Sequence, residues 1–233
     1  MKVIHKFTNS FRIFAKKEQP KMHVIKTFYV NSLRECLYVL SSENKGCVIV
    51  DPGCQNGLER ERVDEYIMTE NLRPACILLT HGHFDHVLST AYFAQKYDIP
   101  ALVNAGDCGL LSHLRDYTNL FGMEYLPLDG VEFRYVNDGD VLSYAGFSFK
   151  VIATPGHTNG GVCYLEEKER VMFSGDTLFE GSIGRTDFEE SGEEDMIVSL
   201  GKLKRLDEDI AVYPGHGYPT TIGDELRNNP YLR

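Results

Sequence analysis

The sequence predicts an α/β protein in which two β-sheets pack together with helices outside them. Three observations predict it. Short runs rich in branched and aromatic residues recur along the chain. Several of these are continuously apolar, as buried strands are. They arrive in blocks, β-rich, α/β, β-rich, α/β, an order that suits two sheets covered by helices. With 233 residues, 42% of them apolar, the chain can fold as one large domain without disulfide staples.

The elements follow in order. "MHVIKTFYV" and "ECLYVLSS" read as strands. "GCVIVDPG" is an apolar strand halted by Asp51-Pro52-Gly53. Residues from about Leu58 to Glu70 read as a helix, with Leu58, Tyr66 and Ile67 as core contacts. "PACILLT" is a buried strand that runs into "HGHFDH", and a helix from about Val87 to Lys96 follows. After a strand at "IPALVN" comes a helix from Asp107 to Arg115. The runs "EFRYV", "DVLSYAG", "FSFKVIAT", "GVCYLEE" and "RVMFSGD" form the second β-rich block. A helix from about Glu193 to Leu206 sets Met196, Ile197, Leu200 and Leu203 at helical spacing. Its acidic start and basic end suit the helix dipole. "IAVYPG" closes the set of strands.

Composition narrows the function. A net charge of −10 argues against nucleic acid and anionic membrane as partners. No apolar run reaches the roughly 18 residues a membrane span needs. The six cysteines are scattered and include no C-x-x-C pair, which suits reduced thiols in a cytoplasm better than a secreted disulfide framework. Residues 1–21 carry six Lys/Arg against Glu18 and read as a basic, flexible extension, with Met22 as an alternative start. The domain then spans 22–233.

Five of the eight histidines stand where a buried strand gives way to a loop. His81, His83 and His86 follow "ILL", His157 follows "FKVIATPG" and His216 follows "IAVYPG". Asp176 follows "RVMFSG" in the same way. Strand ends hold side chains rigidly while leaving them accessible. His5, His23 and His113 lack that context and read as ordinary residues. Imidazole and carboxylate are zinc ligands. In an extended run His81, His83 and Asp85 point one way. His86 then falls on the opposite side unless the chain turns, which suits a second metal. With His157, Asp176 and His216 these make seven ligands, more than one tetrahedral ion needs. Two ions about 3.5–4 Å apart, sharing a carboxylate, would use all seven.

"THGHFDH", "TPGHTNGG", "SGDTLF" and "YPGHG" resemble the successive metal-binding motifs of the metallo-β-lactamase superfamily. The resemblance implies an αββα four-layer sandwich of two mixed sheets, with the metals at one edge between them. By the same resemblance His81, His83 and His157 hold a first metal, Asp85, His86 and His216 a second, and Asp176 bridges. Superfamily β-lactamases usually carry a cysteine at a second-metal position. No cysteine here stands in a ligand motif, which argues against antibiotic hydrolysis. "SGDTLFEGSIGRTDF" resembles the glyoxalase II branch, the hydroxyacylglutathione hydrolases, and "PGHGYPTTIGDELRNNPYL" its short bacterial members. Glyoxalase II proper continues into a helical domain that grips glutathione, whereas only residues 217–233 follow His216 here. At Glu35, in "RECLYVL", related chains often carry Asn.

The expected activity is that of a dinuclear metallohydrolase acting on a small acyl thioester or ester. A metal-bridging hydroxide, available at neutral pH, attacks the carbonyl, with Asp85 orienting it. Two divalent ions serve, zinc first, with iron or manganese as alternatives. Two such ions against Asp85, Asp176 and a hydroxide leave about +1, which favours an anionic or polarised substrate. Arg185 in "GSIGRTD" and Tyr218 are candidates for substrate contact, and Asp51 for supporting a ligand histidine. Lactones and other esters suit the same chemistry. A persulfide dioxygenase is the competing expectation, with one iron on His81, His157 and Asp176.

Overall fold

The computed structural model describes residues 23–233, so the basic extension and the alternative start at Met22 lie outside the described residues. The first sheet runs in the order β1 (His23–Val30), β2 (Glu35–Ser42), β3 (Gly46–Val50), β4 (Arg73–Leu78), β5 (Ala101–Val103) and β6 (Phe133–Tyr135). Its first three strands are antiparallel and β3 to β6 are parallel. The second sheet contains β7 (Val141–Tyr144), β8 (Phe147–Ala153), β9 (Val162–Glu166) and β10 (Val171–Gly175). A two-stranded ribbon, β11 (Leu178–Phe179) and β12 (Ser182–Ile183), interrupts the sequence before β13 (Ala211–Pro214) and β14 (Thr220–Thr221) complete that sheet.

Strand alternation builds the layers. In β2, Tyr38 and Leu40 face the second sheet, while Leu37 and Val39 face the helices outside. In the second sheet Phe149, Val151 and Phe173 face inward, while Ile152 and Met172 face the outer helix α6. The result is helix, sheet, sheet, helix. On one side lie α1 (Gly57–Thr69), α2 (Phe84–Val87), α3 (Thr90–Tyr97), α4 (Cys108–Ser112) and α5 (Leu114–Phe121). On the other lie α6 (Glu193–Leu203) and α7 (Ile222–Asn228). Tyrosines in the inter-sheet layer have their hydroxyls satisfied. Tyr38 donates to Pro214 O at 2.6 Å and Tyr164 to Leu79 O at 2.9 Å.

This topology positions the site. β8 and β10 each run antiparallel to β9, so they share a direction, and β13 is parallel to β10. Their carboxyl ends therefore meet at one edge, as those of β3 and β4 do in the first sheet. Two backbone bonds join these edges. Cys36 N–H donates to Gly215 O at 2.8 Å, and Val162 N–H donates to Thr80 O at 2.8 Å.

Several expected elements are corrected. Leu58 is 75% exposed, because α1 buries Arg60, Val63, Asp64 and Ile67 instead. The polar members of that face are paired, Arg60 with Glu124 and Asp64 with Tyr92, Tyr97 and Lys96. Apolar periodicity alone misses such a face. Ile197 is likewise exposed, and Ser199, bonded to Pro155 O, takes its place in the buried stripe. The helix expected from about Val87 to Lys96 begins at Thr90, after a separate turn of helix that ends at Val87. Ser89 separates the two by donating to Pro52 O from its backbone and to Cys54 O from its side chain. The helix expected to end at Arg115 continues, after a kink at His113, to Phe121. β14 and α7 follow the strand taken as last. Among the described residues no helix is long and apolar enough to cross a membrane.

Phe149 has no exposed surface in the layer between the sheets. Phe149→Ala is expected to cost about 3–5 kcal/mol, through lost burial and the cavity left behind. Urea unfolding reads it, and a loss below about 1 kcal/mol overturns this view of the layer.

Candidate metal centre

The five strand-end histidines and the two aspartates converge at the joined edges. His81, His83 and His157 form one group whose ligand atoms lie within 4.8 Å of one another, and Asp85, His86 and His216 form a second. Asp176 stands between them. One of its oxygens lies 3.4 Å from His157 Nε2 and the other 3.5 Å from His86 Nε2. In the second group His216 Nε2 is 3.3 Å from Asp85 Oδ2 and 3.3 Å from His86 Nε2.

The local chain explains the division. The extended run holds only as far as His83, because Phe84 opens the single turn of α2. Asp85 thus does not continue the alternation of His81 and His83. It is carried round with His86 to the second group. Asn31 anchors the turn, its side-chain amide donating to Asp85 O and Gly53 O at 2.9 Å each. Close approach at the other strand ends requires glycine. A Cβ at Gly215 would sit 2.2 Å from Asp176 Oδ1, and one at Gly175, where φ is +49°, would sit 2.2 Å from Thr80 Oγ1.

Three ring orientations follow from hydrogen bonds. His86 Nδ1 lies 3.1 Å from Asp51 Oδ2, and His157 Nδ1 lies 2.9 Å from Arg185 O. Both acceptors require a proton on Nδ1, which leaves Nε2 as the ligating atom. His81 is held through a relay. Its Nδ1 donates to Thr80 Oγ1 at 3.1 Å, and that hydroxyl donates to Asp51 Oδ2 at 2.6 Å. Asp51 also accepts from Thr80 N–H at 2.7 Å. The carboxylate expected to support a ligand histidine therefore lies against His86 directly and against His81 by relay.

The donor set fits a divalent cation. His81 Nε2, His157 Nε2 and Asp176 Oδ1 are buried without a hydrogen-bond partner among the described residues. Leaving a buried polar atom unpaired costs about 1–3 kcal/mol. Three such atoms aimed at one region are the pattern of lone pairs waiting for an ion, and imidazole with carboxylate is the zinc-type donor set.

Two further buried carboxylates stand at the site, Asp107, which the sequence does not mark, and Glu35, whose role it does not show. Asp107 is buried and accepts from Gly82 N–H at 2.8 Å, Thr158 Oγ1 at 2.8 Å and Gly160 N–H at 2.6 Å. It ties the loop carrying His81 and His83 to the loop carrying His157. Its only signal in the sequence is an Asp after a short strand, which many turns share. Glu35 is wholly buried, with neither oxygen hydrogen-bonded among the described residues. It lies 3.9 Å from His86 Nδ1. Burial, reinforced by Asp51 and Asp85, pushes its carboxyl well above the ordinary range.

A cavity of about 620 Å³ opens beside the cluster, and Arg185 lines it. The Arg185 guanidinium pairs with both Asp187 oxygens, at 2.9 and 3.0 Å. Tyr218 is not brought to the site. It is 65% exposed and lies outside the cavity lining, because Gly217 turns the chain away after His216.

Known proteins are similar to this chain in sequence and fold. A family model described as the metallo-beta-lactamase superfamily matches residues 35–216. A Haemophilus influenzae protein named hydroxyacylglutathione hydrolase GloC is 35% identical, covering 87% of this chain and 95% of its own. The crystal structure of BLEG-1 B3 metallo-beta-lactamase superposes with a TM-score of 0.79 at 34% identity, over 90% of this chain and 99% of its own. That of TTHA1623 in a di-iron-bound form gives 0.78 at 32% identity, over 89% and 100%.

Two predictions arise from the centre. Asp51→Asn leaves the shape but weakens the hold on His86 and Thr80. Metal affinity should fall about 10–100-fold, read by competition with a chromophoric chelator, and unchanged affinity overturns the role of Asp51. The second concerns protons. In the metal-free protein burial opposes charge on His86, but Asp176, Asp85 and Asp51 outweigh it and push its pKa up to about 10. A ligating histidine must be neutral. Loading a divalent ion at pH 7 should therefore expel at least one proton, and apparent affinity should climb about tenfold per pH unit through neutrality. Calorimetry in buffers of different ionisation enthalpy reads the proton, and a buffer-independent heat sinks the prediction.

Proposed function

This chain belongs to the metallo-β-lactamase superfamily, and from that premise we propose that it is a dinuclear metal-dependent hydrolase of small acyl thioesters. One observation carries the reading. Seven donors converge in two groups with Asp176 between them, as two ions sharing a carboxylate require. His81, His83 and His157 would hold one ion and Asp85, His86 and His216 the other. Zinc suits the imidazole-rich set best, and the likeness to a di-iron protein makes iron the first alternative. When bound, such ions supply Lewis acidity and an ionised water at neutral pH.

The protein's own groups do the rest. Water adds across the acyl C–S bond, its hydroxyl going to the acyl carbon and its second proton to the departing sulfur. Asp85 stands beside the reaction centre and stays ionised. In the metal-free protein burial opposes its charge, but His86 and His216 outweigh that and hold its pKa at about 2, and a bound cation would take over that role. It can orient the attacking water by accepting its hydrogen bond. Asp51 and Thr80 keep His86 and His81 from turning away. The adjoining cavity receives the substrate. The likeness to a named hydroxyacylglutathione hydrolase supports a thioester bond. Six free cysteines, five of them buried, suit a reducing cytoplasm.

A second reading is a mononuclear iron persulfide dioxygenase using His81, His157 and Asp176, since His81 and His157 share one donor group and an Asp176 oxygen lies 3.4 Å from His157 Nε2. Metal analysis and kinetics separate the two. Protein purified without added metal should hold two ions per chain and cleave thioesters. Asp176→Ala should abolish turnover, and His216→Ala should lower it more than about 100-fold, beyond the effect of losing a supporting partner. A single iron, with O₂ consumed on a persulfide, overturns the hydrolase. The likeness to BLEG-1 places a β-lactam amide in the same substrate panel.

A further inference from the structure

Resting on the hydrolase reading, we infer that the substrate's acyl group is uncharged and apolar and that its thiol carrier lacks the paired carboxylates of glutathione. The cavity beside the metal centre has two unlike walls. One is the ligand cluster. The other is apolar and is presented by α2, α5 and the loop before β2. Tyr117, Leu120 and Phe121 stand at i, i+3 and i+4 on α5, hence on one face of that helix. Phe84 stacks against two of them, 4.7 Å from Phe121 and 5.9 Å from Tyr117, with ring planes within about 16°. Leu120 is 76% exposed and Phe121 51%. An apolar helix face left open beside a reaction centre is suited to an apolar ligand group.

Charge points the same way. Apart from the ligand cluster, the charged side chains lining the cavity among the described residues are Arg185, Glu189 and Glu190. Arg185 donates to Asp187 through Nε and Nη2 and lies over the Phe188 ring, 4.4 Å from its centroid. Glu190 reaches His83 Nε2 at 3.0 Å. A substrate carboxylate would meet one arginine whose charge Asp187 already offsets, and two glutamates. The charge of the metal centre acts on the carbonyl that touches it. The remainder of the substrate lies against the apolar wall.

Calorimetric titration of the zinc-loaded protein with non-hydrolysable thioethers tests this. S-hexyl-N-acetylcysteamine should bind at least about tenfold tighter than its S-methyl counterpart, since each fully buried methylene is worth roughly fourfold. S-hexylglutathione should bind at least about tenfold more weakly than the neutral hexyl compound at low salt, with the gap narrowing as salt screens the glutamates. Phe121→Asp, at a half-exposed position that tolerates polarity, should shrink the hexyl-to-methyl ratio to less than about threefold. Equal binding of hexyl and methyl compounds, or tighter binding of the glutathione conjugate, overturns the inference. Turnover of S-hexanoyl-N-acetylcysteamine is followed in parallel. If the binding order holds and the thioester is not cleaved, the hydrolase reading fails while the pocket's preference stands.

Discussion

Asp51 accepts hydrogen bonds from His86 Nδ1 and from both the backbone and the hydroxyl of Thr80, and through that hydroxyl it sets His81. Charge-assisted bonds of this kind are each worth about 1.5–3 kcal/mol. They offset the backbone conformation at Asp51, where φ is +47°, a left-handed value that costs a non-glycine residue of order 1 kcal/mol. The strain has a use. It turns the chain sharply at the end of β3, so the carboxylate reaches across to the end of β4 instead of following its own strand. One residue of each metal group is thereby referred to a single fixed point, and their relative placement does not depend on the mobility of the loops between them.

Asp107 does at longer range what Asp51 does locally. It accepts from Gly82 on the first sheet's loop and from Thr158 and Gly160 on the second's. The inter-sheet backbone bonds at Cys36 and Val162 clamp the same edge. The centre is therefore built across the interface between the two sheets and belongs to neither alone. Packing of Tyr38, Phe149, Tyr164 and Phe173 between the sheets sets the separation at which His157, Asp176 and His216 face His81, His83 and His86.

The pattern of apolar strands ending in histidine or aspartate was legible in the sequence because strand direction and burial leave a local trace. Two sheets with outer helices followed from element order, and the motifs' resemblance carried the αββα arrangement that the structure shares. What was illegible depended on partners distant in the chain. Leu58 and Ile197 looked like core residues, but the buried faces of α1 and α6 include Arg60, Asp64 and Ser199, which are acceptable inside only because Glu124, Tyr92, Tyr97 and Pro155 meet them. The turn at Phe84 could not be read either. Alternation predicted Asp85 beside His83, and Asn31, far upstream, secures the turn that takes it elsewhere. The apolar wall of α5 was invisible for a related reason, since its face covers a cavity and not a core.

The spread of the donors along the chain bears on how the protein matures. His81 to His86 belong to the first sheet's half, whereas His216 arrives only near the end of the sequence. Bringing such distant positions together costs loop entropy that is offset only when both sheets have packed. A chain synthesised as far as β6 already carries His81, His83, Asp85 and His86, yet lacks His157, Asp176 and His216, so neither donor group is complete. Capture of an ion there would thus be a late event, acting like a rivet driven through two finished plates. Whatever energy it adds goes to the joint between the halves and not to either half alone.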